Sequence, residues 1–421
     1  EYGVIDTTDD ARLEVGDPLH AEPALVQYGL DAGNPDLVAY VATNDGYLHA
    51  FDVDDGKEIF SFVPQELLPN LSTAMEGVGA GGKLYGLDGN VVAWINDENE
   101  DGSINSGDGD HVYLYIGMRR GGNNIYSLDV TNRTSPVLRW VIKGGVAGGD
   151  YEELGQTWST INVAKMKDGA TERDVLIFGG GYDLSQDGAT VRSTDGIGRT
   201  VFVADALTGD LIWSAGKGGE EMAEMEYSIP ARTTVLDVSG DGYIDRIYAA
   251  DMGGQIFRFD INNTNGGSLA SSITGGRIAD MAGSGTTDNR RFFYPPDVAL
   301  ADADDGAYHA LVISSGNRAH PLNETVHDRI YMVKDRNLGL TTTYTTVTES
   351  DLKDVTDNLA GGDSGAEGDA AADAAREAEL ANIAAADGWY IDLEDEANPG
   401  SWIGEKGLAE ALIIEGVAIV S

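Results

Sequence analysis

The chain has 421 residues, 71 acidic against 27 basic, for a formal charge of −44 at neutral pH; such a surface repels nucleic acid and anionic membranes, draws cations, and reads first as the solvated exterior of a salt-adapted protein. Cysteine is absent, which excludes disulfides, thiolate metal sites and cysteine catalysis. No apolar run reaches the roughly 18 residues of a membrane-spanning helix, and 56 glycines with many Asp and Asn turns favour a large number of short strands.

In chain order, residues 31–36 form an acid-bearing turn with weak ligand order, and 38–52 read as two strands, the second closing on Asp52. Residues 77–83 mimic a phosphate loop, but Leu84 stands where Mg²⁺ needs Ser or Thr, and the following Tyr85-Gly-Leu-Asp-Gly89 is a turn, so nucleotide binding is set aside. Residues 97–108 place Asp97, Asn99, Asp101, the Ser103 carbonyl, Asn105 and Asp108 at positions 1, 3, 5, 7, 9 and 12 of a Ca²⁺ loop, with Gly102 at position 6. This is a second, weaker candidate: Asp replaces the terminal Glu, and a plain acidic surface loop is its rival.

Strand pairs recur at 112–129, 175–205, 247–260 and 311–335, with further strands at 137–140 and 211–213. Their second members close on Asp129, Asp205, Asp260 and Asp335, in register with Asp52. Repeated units of this kind predict an all-β chain, a β-propeller with irregular, heavily inserted blades, because the spacing exceeds the roughly 40–45 residues of a compact blade. Residues 1–421 are expected to form a single propeller domain, a portion of a longer protein.

The segment Asp237-Val-Ser-Gly-Asp-Gly-Tyr-Ile-Asp245 carries the strongest chemical signal. Asp237, Ser239, Asp241 and Asp245 fall at positions 1, 3, 5 and 9, Tyr243 offers its carbonyl at position 7, and Gly242 permits the turn. Tyr248 stands at position 12, so the motif is a Ca²⁺ loop set between strands and not an EF-hand with an exiting helix. Asp302-Ala-Asp-Asp-Gly306 shares the look without later ligands and reads as a turn.

Residues 366–386 are Ala-rich and poor in β-branched side chains, which predicts a small helical insertion, with 361–387 placed between blades and a flexible left flank at 361–365. Residues 388–393 and 411–414 are expected to begin a later, incomplete blade. Catalytic signatures are poor: neither a Gly-x-Ser-x-Gly elbow nor a His-Glu-x-x-His helix occurs, and the six histidines are scattered.

Several segments in order give the chain a resemblance to a family: Gly16-Asp-Pro-Leu-His20, Tyr85-Gly-Leu-Asp88, Leu154-Gly-Gln-Thr-Trp-Ser159, Phe178-Gly-Gly-Gly-Tyr-Asp183, residues 228–260 with the Asp237 loop, Ser315-Gly-Asn-Arg318, Asp328-Arg-Ile-Tyr-Met332 and Gly404-Glu-Lys406. Together they resemble the C-terminal β-propeller domain of the PilY-type type IV pilus tip-associated biogenesis factors and adhesins. The resemblance implies a non-enzymatic, extracellular protein at the pilus tip or cell surface. It also implies Ca²⁺ on the Asp237 loop governing pilus retraction, minor pilins as partners, and adhesion to a surface ligand. Ser239 departs from the Asp or Asn common in family loops. The alternatives are a quinone-dependent dehydrogenase of propeller type, or a carbohydrate- or surface-binding module unrelated to pili.

Overall fold

The computed structural model describes residues 15–31, 33–71, 83–303, 306–357, 360, 370–395 and 397–421. Two compact units divide the chain, one holding residues 1–161 with 207–209 and the other 162–206 with 210–421. Among the described residues no helix is long and apolar enough to cross a membrane.

The first unit contains two antiparallel meanders. Strands β1 (Ala24–Asp31), β2 (Asn34–Ala42), β3 (Leu48–Asp52) and β4 (Glu58–Phe62) form one; β5 (Val91–Asn96), β6 (His111–Gly117), β7 (Asn124–Asp129) and β8 (Val137–Lys143) form the other. Alternation decides their faces. Along β2, Val38, Tyr40 and Ala42 point inward, and along β6 Val112 and Leu114 do so; they meet in one core with Val26, Leu48 and Tyr126. Tyr28 and Tyr40 share this core because their hydroxyls are satisfied: they bond each other at 2.6 Å, and Tyr28 donates to the Val130 carbonyl at 2.7 Å.

The second unit repeats the pattern with β9 (Asn162–Asp168), β10 (Thr171–Gly179), β11 (Thr200–Asp205) and β12 (Leu211–Gly216). A fourth sheet runs β13 (Thr234–Leu236), β14 (Arg246–Ala250), β15 (Gln255–Ile261) and β16 (Ile273–Asp280). The fifth begins with β17 (Asp297–Ala301), β18 (Tyr308–Ser314) and β19 (Arg329–Asp335). Short strands β20 (Val347–Thr348) and β21 (Lys353–Asp354) add parallel edges to the fourth and fifth sheets. Four of the sheets carry a register shift between their third and fourth strands, at Ala50/Phe51, Ser127/Leu128, Val203/Ala204 and Ile256/Phe257. Each is a bulge that deepens the local twist a propeller blade needs.

The aspartates that mark the repeat have a local reason. Asp52, Asp129 and Asp335 each accept the backbone N–H two residues on, at 2.9, 2.9 and 3.3 Å, which turns the chain out of its strand. Asp205 receives Arg173 Nη1 at 2.9 Å, and Asp260 receives Arg246 and Arg258.

Two expectations change here. Residues 388–393 do not open a later blade: β22 (Gly388–Asp392) pairs antiparallel with β19, Arg329 opposite Asp392, and supplies the fourth long strand of the fifth sheet. Only glycine suits its first position, because a Cβ on Gly388 would lie 2.0 Å from the Met332 carbonyl oxygen. Residues 411–414 contribute β23 (Leu412–Ile414), which forms a separate two-stranded hairpin with β24 (Val417–Ile419). The helical insertion therefore lies within the fifth sheet, between its third and fourth long strands, and not between blades. Its helix, α1 (Ala370–Ala385), falls inside the expected 366–386; residues 361–369 lie outside those described.

Lys334 shows why α1 stops and where it docks. Its side chain, only 6 % exposed, sends Nζ to the carbonyls of Ile383, Ala384 and Ala386 at 2.9, 2.8 and 2.9 Å. These are last-turn acceptors without intrahelical partners, at the negative end of the helix dipole. Replacing Lys334 with Met is expected to cost about 1–2 kcal/mol and to speed amide hydrogen exchange across residues 370–385 while sparing the first unit.

Asp328 is a buried acid with one oxygen satisfied. Its Oδ1 accepts the Ser315 hydroxyl at 2.7 Å, and its Oδ2 has no hydrogen-bond partner among the described residues. Burial pushes this carboxyl up to about 6. A raised folded-state pKa favours folding below the unfolded value near 3.8, and that contribution is lost as pH rises through about 6. Asp328→Asn is expected to flatten the fall in stability between acid and neutral pH by roughly 2–3 kcal/mol, as read from denaturant midpoints at each pH.

Candidate metal centre

The loop of residues 237–245 joins β13 to β14. Its base is closed by the strands themselves: Leu236 pairs with Arg246, and Asp245 N donates to the Leu236 carbonyl at 2.9 Å. Within it, Gly240 and Gly242 take φ of 75° and 88°, the left-handed conformation that a Cβ disfavours. That conformation turns successive N–H groups onto Asp237, whose Oδ1 accepts from Gly240 at 2.6 Å and Asp241 at 3.1 Å, and whose Oδ2 accepts from Gly242 at 2.7 Å. The Gly242 N–H foremost, aided by those of Gly240 and Asp241 and the Ser239 hydroxyl, holds the Asp237 carboxyl below its ordinary value.

The other two acids are set by the same local bonds. Asp241 Oδ1 accepts the Tyr243 N–H at 3.1 Å. Asp245 is gripped from both sides, by Ser239 N at 2.8 Å and by Asn263 Nδ2 at 3.0 Å. The result brings carboxylate oxygens of Asp237, Asp241 and Asp245 within 4.8 Å of one another. The counter-charge beside them is Lys167, whose Nζ lies 3.8 Å from Asp241 Oδ2 and 4.3 Å above the Tyr243 ring. The Tyr243 hydroxyl donates to Glu172, while its carbonyl accepts no hydrogen bond among the described residues.

This donor set fits a hard divalent cation. Three carboxylates, a serine hydroxyl and a main-chain carbonyl are all oxygens, the ligands Ca²⁺ takes. They sit beside a cleft of about 310 Å³ that Ser239, Asp241 and Asp245 line together with Asn262, Asn263 and Gly339.

The second loop begins in the same way and then diverges. Asp97 accepts Asp101 N at 3.2 Å and Gly102 N at 2.7 Å, and Asp101 Oδ1 accepts Ser103 N at 2.8 Å, matching the first half of the Asp237 loop. Asn99 turns its Nδ2 onto Asp101 Oδ2 at 3.2 Å. At position 9 an asparagine replaces the acid. Asn105 caps a 3₁₀ turn over Ser106–Asp108 and points Nδ2 at Asp108 Oδ2, 2.7 Å away. Asp110, outside the expected ligand set, takes the N–H groups of Glu98 and Asn105. The second loop therefore does not gather Asp97, Asp101 and Asp108 as the first gathers its acids.

A regularity unites these segments. Residues 32–33, 97–110, 237–245 and 302–307 all join the first and second strands of their sheets. Of the other acid-bearing turns, Ala32, Asp304 and Asp305 lie outside the described residues, as do 77–82 of the phosphate-loop mimic.

Sequence reading missed the support behind the loop. Arg246 follows Asp245 directly, and strand alternation sends it the opposite way, into a buried cluster. Its Nε donates to Asp260 at 2.8 Å, and Arg258 meets Asp260 through Nε and Nη2 at 2.9 Å each and Asp335 through Nη1 at 2.9 Å. Tyr248 donates to Asp335 at 2.7 Å. His309 Nδ1, 3.0 Å from Arg246 Nη1, completes the group; burial first and the Arg246 charge second hold it below its ordinary value, so it accepts as a neutral ring. The available signal was the Arg-x-Asp spacing of Arg258 and Asp260 on a strand otherwise apolar.

Comparison with known proteins gives a consistent picture. The PilY1 beta-propeller domain family matches residues 30–315. A type IV pilus biogenesis factor PilY1 homolog of Xylella fastidiosa is 31 % identical over 236 residues, covering 53 % of this chain and 14 % of the relative. The type IV pilus biogenesis factor PilY1 of Pseudomonas aeruginosa strain PAO1 is 29 % identical over 224 residues, covering 53 % of this chain and 17 % of the relative. The chain thus spans less than a quarter of the length of either relative. The crystal structure of the Pseudomonas aeruginosa PilY1 C-terminal domain superposes with a TM-score of 0.60 at 19 % identity, covering 91 % of this chain and 76 % of that one, and shares its fold. With most of its length matched by the family and its strands arranged as serial four-stranded meanders, the chain belongs to the PilY1 β-propeller family.

Proposed function

We propose that this chain is a non-enzymatic, calcium-binding propeller of a type IV pilus biogenesis protein, exposed at the pilus tip or cell surface and working with minor pilins in pilus assembly, control of retraction and surface adhesion. The observation that carries the metal reading is the convergence of Asp237, Asp241 and Asp245 within 4.8 Å on a loop whose glycines and N–H groups hold that shape. The pilus reading rests on the family and on relatives named as pilus biogenesis factors.

Asp237, Asp241 and Asp245 would hold the ion, with the Ser239 hydroxyl and the Tyr243 carbonyl completing the oxygens. When bound, a divalent cation supplies the charge that three mutually repelling carboxylates lack. The chain's own part is mechanical. Asp237 organises the turn through three N–H bonds, and Asp245 ties the loop to Asn263. Asp245 also leads directly into Arg246 and the buried ion cluster. Occupancy is thereby coupled to the rigidity of the hairpin joining β13 and β14, the element a partner pilin would read. Extracellular modules of this type bind Ca²⁺ with dissociation constants on the order of 10⁻⁴–10⁻³ M. At about ten times that constant the linked stabilisation is roughly 1.4 kcal/mol, enough to bias a loop and too little to hold a fold.

Calorimetric titration with Ca²⁺ is expected to show binding at this loop, and Asp241→Ala is expected to abolish it with circular dichroism unchanged; undiminished affinity and stoichiometry in that variant would contradict the assignment. In cells, the full-length protein carrying Asp241→Ala is expected to alter the number of surface pili and the twitching zone as Ca²⁺ depletion does. Wild-type piliation and twitching in that strain at all Ca²⁺ levels would sink the regulatory reading and leave the binding result standing.

A further inference from the structure

The second unit holds a cleft of about 480 Å³ apart from the acid loop, a size within the range of roughly 300–1,000 Å³ that small-molecule sites take. Its wall is built from separate stretches of the chain, around residues 187–190, 286–291 and 317–326. In a protein with 71 acidic residues this wall is rich in hydrogen-bond donors.

Arg291 lines it and is 2 % exposed. Its Nε donates to Gln186 Oε1 at 2.9 Å and its Nη2 to the Ala189 carbonyl at 2.6 Å. Gln186 is itself fixed, because its Nε2 donates to Asp195 Oδ1 at 2.6 Å. The guanidinium is thus locked in place with Nη1 unengaged by any hydrogen bond among the described residues.

Three asparagines add amide donors. Asn317 Oδ1 accepts Ala319 N at 3.1 Å, and Asn323 Oδ1 accepts Thr325 N at 2.9 Å and Val326 N at 3.2 Å. With each oxygen committed to the backbone, each Nδ2 faces away from it. Asn289, 2 % exposed, is the clearest signal: its Nδ2 is buried with no hydrogen-bond partner among the described residues. A buried N–H₂ without an acceptor costs free energy unless something supplies one. Of the acids, Asp187 also lines the wall, and its Oδ1 is already occupied by the Tyr182 hydroxyl at 2.6 Å.

We propose that this cleft is a binding site for a small carboxylated polyol, a uronic-acid sugar, with its carboxylate received by Arg291 Nη1 and the Asn289 and Asn317 amides. Hydroxyls of Thr190, Thr286 and Thr325 line the same cleft and, being both donors and acceptors, suit the ligand's own hydroxyls. The donor excess selects an acceptor-rich ligand, and charge-assisted bonds to a carboxylate are the strongest such a wall can make. The overall negative charge opposes anion approach only within a Debye length, about 8 Å at physiological salt. The site uses none of the metal-loop residues, so it stands or falls independently of the calcium reading.

The test is titration of the full chain with sodium glucuronate, glucose and a short oligomer of a uronic acid, followed by calorimetry or amide chemical shifts. Glucuronate is expected to bind with a dissociation constant on the order of 1 mM, and glucose, its uncharged counterpart, far more weakly. Asn289→Asp and Asn317→Asp exchange a donor for an anionic oxygen with little change of shape, and an aspartate at 317 can still accept Ala319 N. Each is expected to weaken glucuronate binding roughly tenfold or more, the loss of one charge-assisted hydrogen bond. Should Asn289→Asp fail to fold, Asn317→Asp alone decides. Tighter binding of the oligomer than of the monomer assigns the ligand to a polysaccharide end, and equal binding assigns it to the free sugar. Absence of saturable binding by either, glucose binding as well as glucuronate, or undiminished affinity in a folded Asn317→Asp protein would each overturn the proposal.

Discussion

Two buried arginines hold the second unit in its working shape. Arg246 and Arg258 are 2 % and 1 % exposed, and two carboxylates, Asp260 and Asp335, answer them. Charges this deep are costly unless fully paired, and breaking such a pair typically costs about 3–5 kcal/mol because the remaining charge is stranded. Here the remaining donors are also satisfied: Arg258 reaches the carbonyls of Asn337 and Gly339 at 2.5 and 2.6 Å, and Arg246 reaches Gly339 at 2.9 Å. Asp335 lies at the end of β19 and Arg258 in the middle of β15, so one cluster joins the fourth sheet to the fifth. An ionic cross-link demands one geometry where a purely apolar contact would accept several.

That cross-link also places the acid loop. Asp245 and Arg246 are chain neighbours pointing to opposite sides, one to the candidate metal centre and the other to the buried cluster. Loop and core therefore share a backbone segment that neither can move alone. The comparison with residues 97–108 shows what the ninth position decides. Both loops start with the same Asp-and-glycine scaffold, Asp237 with Gly242 and Asp97 with Gly102. With an acid at position 9, Asp245 folds back onto Ser239 N and gathers the carboxylates; with Asn105 there, the chain tightens into a 3₁₀ turn and the amide engages Asp108 instead.

The charge balance has two faces. Outside, a large excess of carboxylates keeps the surface solvated. Inside, arginines and one lysine are spent on structure: Arg246 and Arg258 between sheets, Arg291 behind a donor-rich cleft, and Lys334 at the end of α1. With few cations available in the composition, each buried one binds several acceptors at once, which ties distant segments together.

The amino-acid sequence by itself determined most of the strands, the repeat and the local shape of the acid loop, because these rest on local rules. Alternating apolar residues define a strand's inward face, an aspartate two residues before a free N–H ends it, and Asp-x-Ser-x-Asp-Gly builds its own turn. The helix at 370–385 was legible for the same reason, from its alanines. Only the tertiary structure decided what depends on partners far along the chain. Gly388–Asp392 became the fourth long strand of the fifth sheet because its partner edge, β19, lies across an insertion of some fifty residues. The donor wall around Arg291 and the ionic cross-link through Arg258 join residues 105 and 77 positions apart, respectively. Local pattern cannot register such pairs: the Arg-x-Asp spacing marks Arg258 as unusual, but only burial and a distant carboxylate or amide give each arginine its role.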